Sequence, residues 1–140
     1  MKRRRLLLPA TGLLLICVAT LAMRSPDEAK NDKPVVVRGL LRDIACPIQN
    51  KQSTSRAFNR KCAEDCAKRG SPLAILTDNG TMYMTISESM PDMDQHEKLM
   101  PYVGKYVEAS GIVYERNGMH SIVIKQIKED KSVALKDDLE

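Results

Sequence analysis

Residues 72–86 have the sequence PLAILTDNGTMYMTI, which predicts a β-hairpin. Two short, largely apolar segments, 72–78 and 81–86, flank the dipeptide Asn79-Gly80. Asn-Gly is the pair that most favours a tight two-residue turn between antiparallel strands. On the second of these strands Met82 and Met84 alternate with Tyr83, so the methionines share one face, as is typical of core packing.

The same turn chemistry occurs once more, because segments 105–115 and 119–128 flank Asn117-Gly118. Upstream, segment 34–43 begins with three valines and predicts a first strand, with a bulge or irregularity at Gly39. Between the hairpins, residues 91–100 predict a short helix whose N-terminal end carries acidic residues.

The predicted order of elements is a strand, a long connection, a hairpin, a helix and a second hairpin. Five strands with a helix between the third and the fourth are typical of an OB-type barrel. The fold class predicted is therefore mainly β: a small five-stranded OB-like barrel with a cysteine-bearing helix after its first strand. In that architecture the connection after the first strand is a common ligand-binding loop.

The long connection after the first strand contains the predicted cysteine-bearing helix, residues 53–70. Hydroxyl residues at 53–55 are typical of helix N-caps, and Gly70 followed by Pro72 is typical of a helix end. Cys62 and Cys66 lie four residues apart and so share a helix face, while Cys46 lies on the incoming loop.

The chain begins with features of an export signal. Four basic residues, Lys2 to Arg5, precede an apolar run from Leu6 to Met23, and small residues lie near its end. The run is also about long enough, at the usual ~20 residues, to anchor the protein in the inner membrane if it is not cleaved. We therefore predict a periplasmic or secreted protein that contacts the membrane only through this segment.

The predicted organisation has four parts. Residues 1–22 form the export signal or anchor, residues 23–33 form a polar flexible linker, residues 34–128 form the OB-like domain, and residues 129–140 form a polar tail that we expect to fray. The domain of about 95 residues has a core of marginal size.

Charge and motifs exclude several functions. The chain has 22 basic and 18 acidic residues, and the whole excess of +4 comes from Lys2 to Arg5. The exported domain is therefore neutral and lacks the basic groove and stacking aromatics that nucleic-acid binding requires. No nucleophile elbow, metalloprotease motif or phosphate loop is present, so an enzyme would have to work through its thiols.

The pattern DxxC at 43–46, CxxxCxxxGxPL at 62–73 and a glycine-containing hairpin at 104–124 resembles a group of small exported bacterial proteins of unassigned function. The resemblance implies an OB-like fold and export. Members often carry a histidine three residues before the first cysteine of the CxxxC pair, where this chain has Asn59. Because an amide is a poor ligand for a soft metal, the resemblance supports fold and export more than chemistry.

The three thiols of the domain have three possible roles: a structural disulfide, a metal site and redox exchange. An exported domain of this size is commonly stapled by a disulfide, here from Cys46 to Cys62 or Cys66, and closing such a loop is worth roughly 3 kcal/mol. Alternatively, the three thiolates hold a metal ion. Redox exchange by Cys62 and Cys66 is the third reading, although reactive pairs usually have two intervening residues and lie at a helix N-terminus.

A metal site needs a fourth ligand, and Asp43, His96 and His120 are the candidates. Zinc suits thiolate with imidazole or carboxylate, and copper suits thiolate, thioether and imidazole. The chain has eight methionines and no tryptophan, and methionine thioethers are further soft ligands. Met93, His96 and Met100 form a second candidate ligand set, because their spacing places them on one face of a helix. For His120, a partly buried, hydrogen-bonded position at the rim of the sheet is the competing expectation; for Asp43, a side-chain cap of the loop.

We therefore predict an extracytoplasmic binding module that presents a cysteine cluster to a metal ion, zinc or copper, or to an envelope protein. The alternatives are a thiol-disulfide oxidoreductase using Cys62 and Cys66, and a disulfide-stapled structural domain without a ligand. With either a disulfide or a metal ion, Cys46 is expected to be bonded to the helix and not left as a free thiol.

Overall fold

The computed structural model describes residues 33–137. The predicted export signal and nearly all of the predicted linker lie outside the described residues. Among the described residues, no helix is long and apolar enough to cross a membrane.

Residues 33–137 are mainly β, as predicted, with five strands in one mixed sheet that closes on itself. The strands are β1 (Val35–Asp43), β2 (Leu73–Leu76), β3 (Met82–Ile86), β4 (Lys105–Arg116) and β5 (Met119–Glu129). Their spatial order is β1-β2-β3-β5-β4, and β4 pairs with β1 to complete the ring. All neighbours are antiparallel except β3 and β5, which are parallel.

The helices are short and lie in the connections between strands. They are α1 (Ala45–Gln49) and α2 (Arg60–Lys68) between β1 and β2, and α3 (His96–Leu99) between β3 and β4. A 3-10 turn, Met100–Tyr102, continues directly from α3.

The two hairpins differ in their turns. At Asn117-Gly118 both residues have positive φ, and the ladder continues to the pair Arg116 and Met119, as the predicted two-residue turn requires. At Asn79-Gly80 only the glycine has positive φ, and the ladder stops at Leu76 opposite Met82. A two-residue turn was therefore the wrong prediction for the first hairpin, where the side chains of Thr77 and Asn79 bond within a longer turn.

The predicted helix 53–70 is wrong at its start. The hydroxyls expected to cap it have other partners: Ser53 accepts from buried Arg42, Ser55 donates to Asp78, and Thr54 accepts from two following backbone amides. The chain up to Phe58 is therefore irregular, and α2 begins after Asn59. Its end is as predicted, because Gly70 has a φ of 86° and the amides of residues 70 and 71 close the last turn.

The predicted helix 91–100 is shorter than expected, reduced to α3 and its 3-10 extension. Asp92 accepts from the backbone amide of Ser87 and thereby holds the preceding loop outside the helix. Asp94 accepts from the amide of His96, so it does serve the start of α3 as predicted.

The core lies inside the ring of strands, and its facing residues show which side of β3 is internal. Ile75 is fully buried and pairs with Tyr83, whose ring packs against the same cluster. Met82 and Met84 alternate with Tyr83 and therefore lie on the outer face, where both are only half-buried. The prediction that these methionines pack in the core is thus wrong.

Gly39 forms no bulge, because β1 is regular at this residue. It permits a close approach of two strands instead: a Cβ there would lie 2.3 Å from the carbonyl oxygen of Leu76. The irregularity in the sheet lies at Ser110/Gly111, in the pairing of β4 with β5.

A second, smaller core lies outside the ring and joins α2 to β1. Leu40, Phe58 and Ala63 are all fully buried there, and Leu135 packs against them. The backbone of Lys136 bonds to the backbone of Arg56 and Phe58, and the Asp137 carboxylate accepts from Arg60. The expectation that residues 129–140 fray is therefore wrong as far as Asp137.

Candidate metal centre

The three domain cysteines converge at the end of β1. Asp43 ends the strand, and α1 immediately carries Cys46 back toward the sheet. On α2, Cys62 and Cys66 lie one turn apart and face the same way, as their spacing of four predicts. The helix is fixed by Ala63 and Ala67, which lie beside the cysteines and are buried against the two cores.

All three sulfur atoms lie within 4.8 Å of one another. The Sγ atoms of Cys46 and Cys62 are 3.1 Å apart. The cysteines are free thiols, each partly buried. Cys46 thus contacts Cys62 without a covalent bond, and its expected bond to the helix stays a prediction.

Asp43 contacts the cysteine cluster through the backbone of Cys46. One carboxylate oxygen accepts from the backbone amide of Cys46 at 2.9 Å, which fixes the start of α1 and confirms that Asp43 caps the loop. The other accepts from the Arg42 guanidinium at 3.2 Å. Both side chains are essentially inaccessible to solvent, with exposures of 1% for Arg42 and 0% for Asp43.

Arg42 is held on several sides. It donates to the Ser53 hydroxyl, and its guanidinium carbon lies 5.5 Å from the centre of the Phe58 ring. Its Nε is the one buried side-chain nitrogen or oxygen in residues 33–137 without a hydrogen-bond partner. This buried cation balances the Asp43 carboxylate, which bonds the Cys46 amide.

Burial and the nearby carboxylate make two of the thiols weak acids. Burial, the hydrogen bond with Cys62 and the charge of Asp43 raise the pKa of Cys46 to about 12. Burial and Asp43 also raise the pKa of Cys66. Both groups are therefore protonated at neutral pH unless a cation replaces their protons.

Asn59 caps the helix that carries two of the thiols. Its side-chain oxygen accepts from the backbone amide of Cys62 at 2.6 Å, which satisfies one of the free amides at the start of α2. Asn59 therefore has a structural role as the N-cap of α2.

An open groove of about 350 Å³ runs along the outer side of the cysteine pair on α2. It is lined by Asn59, Lys61, Cys62, Asp65, Cys66 and Arg69. Lys61 is paired with Asp65 across one helical turn. Cys62 and Cys66 can thus be reached from solvent on this side, whereas Cys46 lies toward Asp43.

The candidate fourth ligands are placed as follows. In residues 33–137 the cluster of ligand atoms contains only the three sulfurs, so Asp43, His96 and His120 are not brought within 4.8 Å of all of them. Asp43 contacts the site through the Cys46 amide. Both nitrogens of His96 are occupied, one by the Asp94 carboxylate and the other by donation to the Ser71 carbonyl at 2.8 Å.

His120 lies at the edge of the sheet, as its alternation with Ile122 predicts. Its Nδ1 is 3.2 Å from a Glu115 oxygen, and its ring centre is 5.5 Å from that of Tyr83. The expectation of a partly buried, hydrogen-bonded histidine at the rim of the sheet is confirmed.

Met93, His96 and Met100, the second candidate ligand set, do not lie together on a helix face. Met93 precedes α3 and is 61% exposed, whereas Met100 packs against the inner core. With both His96 nitrogens already bonded, these three residues do not form the copper site that their spacing predicts.

Sequence reasoning missed Arg42, α1 and the capping role of Asn59. Arg42 directly follows the apolar pair Leu40-Leu41 and precedes Asp43, which was the available signal for a buried charge pair. Asn59 is a residue type that favours the N-cap position. No signal indicated α1, a single turn interrupted by Pro47.

Comparison with known proteins gives no further guide to the site, since no family model, curated protein or solved structure matches the chain.

Proposed function

We propose that this protein is an extracytoplasmic binding module that holds one soft metal ion, zinc or copper, between Cys46, Cys62 and Cys66. The observation that carries the proposal is the convergence of three sulfur atoms, from two helices, within 4.8 Å of one another. Export rests on the basic and apolar leader alone.

The separations of the sulfurs suit ligation. A Zn–S bond of about 2.3 Å with tetrahedral angles places thiolate sulfurs roughly 3.8 Å apart. The closest contact, 3.1 Å, is shorter than that separation, and the upper limit of 4.8 Å is longer. Ligation therefore requires the cysteine side chains to rotate until the three sulfur separations are near ~3.8 Å. A set of donors made only of sulfur favours Cu(I) and Zn²⁺ over harder ions.

The acidity of the thiols also favours a metal over thiol exchange. A redox cysteine needs a depressed pKa, because the thiolate is the attacking species. Here the pKa of Cys46 is raised to about 12 and that of Cys66 is raised as well. A bound cation stabilises the thiolates directly and removes this cost.

The fold forms part of the proposal. We infer an OB-like barrel, supported by the order β1-β2-β3-β5-β4, the closing pair β1–β4 and the position of α3 between β3 and β4. In such a barrel the cysteines occupy the connection after the first strand. The groove beside Cys62 and Cys66 then gives a fourth ligand access from solvent or from an envelope protein.

A structural disulfide is the second candidate, favoured by the 3.1 Å contact between Cys46 and Cys62. Oxidation would need these sulfurs to approach to about 2.05 Å. It would staple α2 to the end of β1 and leave Cys66 as a free thiol, and the protein would then have no three-sulfur site.

Titration with Co(II) and with Cu(I) under reducing conditions tests the proposal. We expect one equivalent of either ion to produce sulfur-to-metal charge-transfer absorption, and Cys46→Ser, Cys62→Ser and Cys66→Ser each to weaken binding by at least about tenfold. Asp65→Asn, a change beside Cys66 outside the ligand set, is the control and should bind normally. Equal binding by the three serine variants and the parent protein would refute the proposal.

A further inference from the structure

The outer face of β3 and the start of β5 carry three methionines that belong to neither core. Met82 and Met84 are half-buried, and Met119 is 54% exposed. All three line one cavity of about 390 Å³ between the two hairpin turns. We propose that these thioethers form a second metal site, specific for a soft monovalent ion such as Cu(I) or Ag(I), independent of the cysteine cluster.

The register of the parallel pair brings the methionines together. Tyr83 is paired with His120, so Met82 and Met119, each one residue earlier, begin neighbouring strands side by side. Adjacent strands are about 4.8 Å apart. Met84 lies two residues beyond Met82 on the same face, roughly 7 Å along the strand. With three rotatable bonds each, the three side chains can bring their sulfurs to one point.

The opposite face of the same strands shows that the methionines do not fill the inner core. The rings of Tyr83 and His120 contact each other there, and Tyr83 packs against the inner core. The methionines therefore point outward, where a side chain chosen for solubility would be polar. Three adjacent thioethers, two half-buried and one exposed, require another explanation than the filling of a gap in the inner core.

The lining of the cavity determines which ion it suits. Its other residues are Asn79, Gly80, Thr81, Gly118 and His120, so it contains no carboxylate, and the His120 ring lies against Tyr83 on the opposite face. A neutral thioether set disfavours Zn²⁺ and the harder divalent ions, and it favours Cu(I) and Ag(I). A Cβ at Gly80 or Gly118 would have no neighbour within 4 Å, so both turns leave the rim of the cavity open to an entering ion.

The test is a titration of the whole protein with Ag(I), observed through the NMR signals of isotopically labelled methionine methyl groups. We expect the signals of Met82, Met84 and Met119 to shift together along one binding curve. Those of Met90 and Met93, which are more exposed at 88% and 61%, should stay unchanged over that range. Because the readout is confined to methionines, uptake of Ag(I) by the thiols does not affect the interpretation.

Variants then distinguish a shared site from separate contacts. Met82→Leu, Met84→Leu and Met119→Leu should each weaken Ag(I) binding at the remaining two methionines by at least about tenfold. Met93→Leu is the matched control and should leave the curve unchanged. Shifts that follow exposure alone, three unrelated curves, or no shift at all would each overturn this site without bearing on the cysteine cluster.

Discussion

Asp43 is the residue on which the cysteine cluster most depends. Its carboxylate is fully buried, bonds the Cys46 amide and pairs with Arg42, which is itself buried against Phe58. Neither ion has water to replace a lost partner. A single residue thus links the end of β1, the start of α1 and the acidity of two thiols.

Substituting Asp43→Asn should therefore have two effects. Leaving Arg42 as an unpaired buried cation should lower the free energy of unfolding by roughly 3–5 kcal/mol, measured by denaturant titration. Removing the negative charge should also lower the pKa of Cys46 and Cys66, measured by the pH dependence of alkylation. The double variant Arg42→Met/Asp43→Asn should recover most of the stability, and failure to do so would contradict the charge-pair explanation.

At the scale of the elements, α2 presents two of the three thiols, and its start is set by Asn59. The serine and threonine hydroxyls upstream look like caps in the sequence but bond to Arg42, Asp78 and their own turn. Because those partners are distant in sequence or depend on the folded loop, the hydroxyl residues predicted the wrong start, although Asn59 is a residue type that favours the N-cap.

Asn59→Ala should cost about 1 kcal/mol of stability, because it removes the bond from the Asn59 oxygen to the Cys62 amide. Asn59→Asp keeps an acceptor at the same place and is the matched control. Thermal unfolding of the two variants measures the difference. If alanine and aspartate were equally tolerated, the cap would not be what begins α2.

His96 joins α3 to the chain that follows α2 and should make stability depend on pH. Its partners Asp94 and the Ser71 carbonyl raise its pKa above the ordinary 6.5. A raised pKa contributes stability that is fully present below the unfolded value and is lost as the pH rises through the folded value.

His96→Gln keeps a donor for Ser71 but cannot become charged. We therefore expect it to destabilise the protein more at about pH 5.5 than at about pH 8.5. Paired denaturant titrations at the two pH values measure this effect, with Gln95→Ala as a neighbouring control. An equal loss at both values would show that the charge of His96 contributes nothing.

At the scale of the whole molecule, the sequence predicts much of the strand framework and less of how it closes. Alternation and Asn-Gly turns locate the hairpins, because these signals are local. The parallel pairing of β3 with β5 is a long-range contact without a local signal. It decides that Tyr83 faces inward and the methionines outward, which alternation alone cannot show. The convergence of Cys46 with Cys62 could be suggested by spacing, but their separation depends on the unpredicted α1.

The C-terminal segment completes the outer core. Leu135 covers Phe58 and Leu40, and Asp137 pairs with Arg60 at the start of α2. Truncation after Ser132 should thus reduce stability by about 1–3 kcal/mol, chiefly through the lost burial of Leu135. Truncation after Asp137 keeps every contact described for the segment and is the control. Equal stability of the two truncated proteins would mean that the segment adds nothing to the fold.

The central claim is that three thiolates share one metal ion. Native mass spectrometry of the protein isolated anaerobically from the cell envelope tests it most directly, combined with alkylation before and after chelation. The proposed function predicts one bound zinc or copper ion, with Cys46, Cys62 and Cys66 all protected until the chelator removes it. A metal-free protein that is lighter by the two hydrogens of a Cys46–Cys62 disulfide, or one with three freely alkylated thiols, would contradict it.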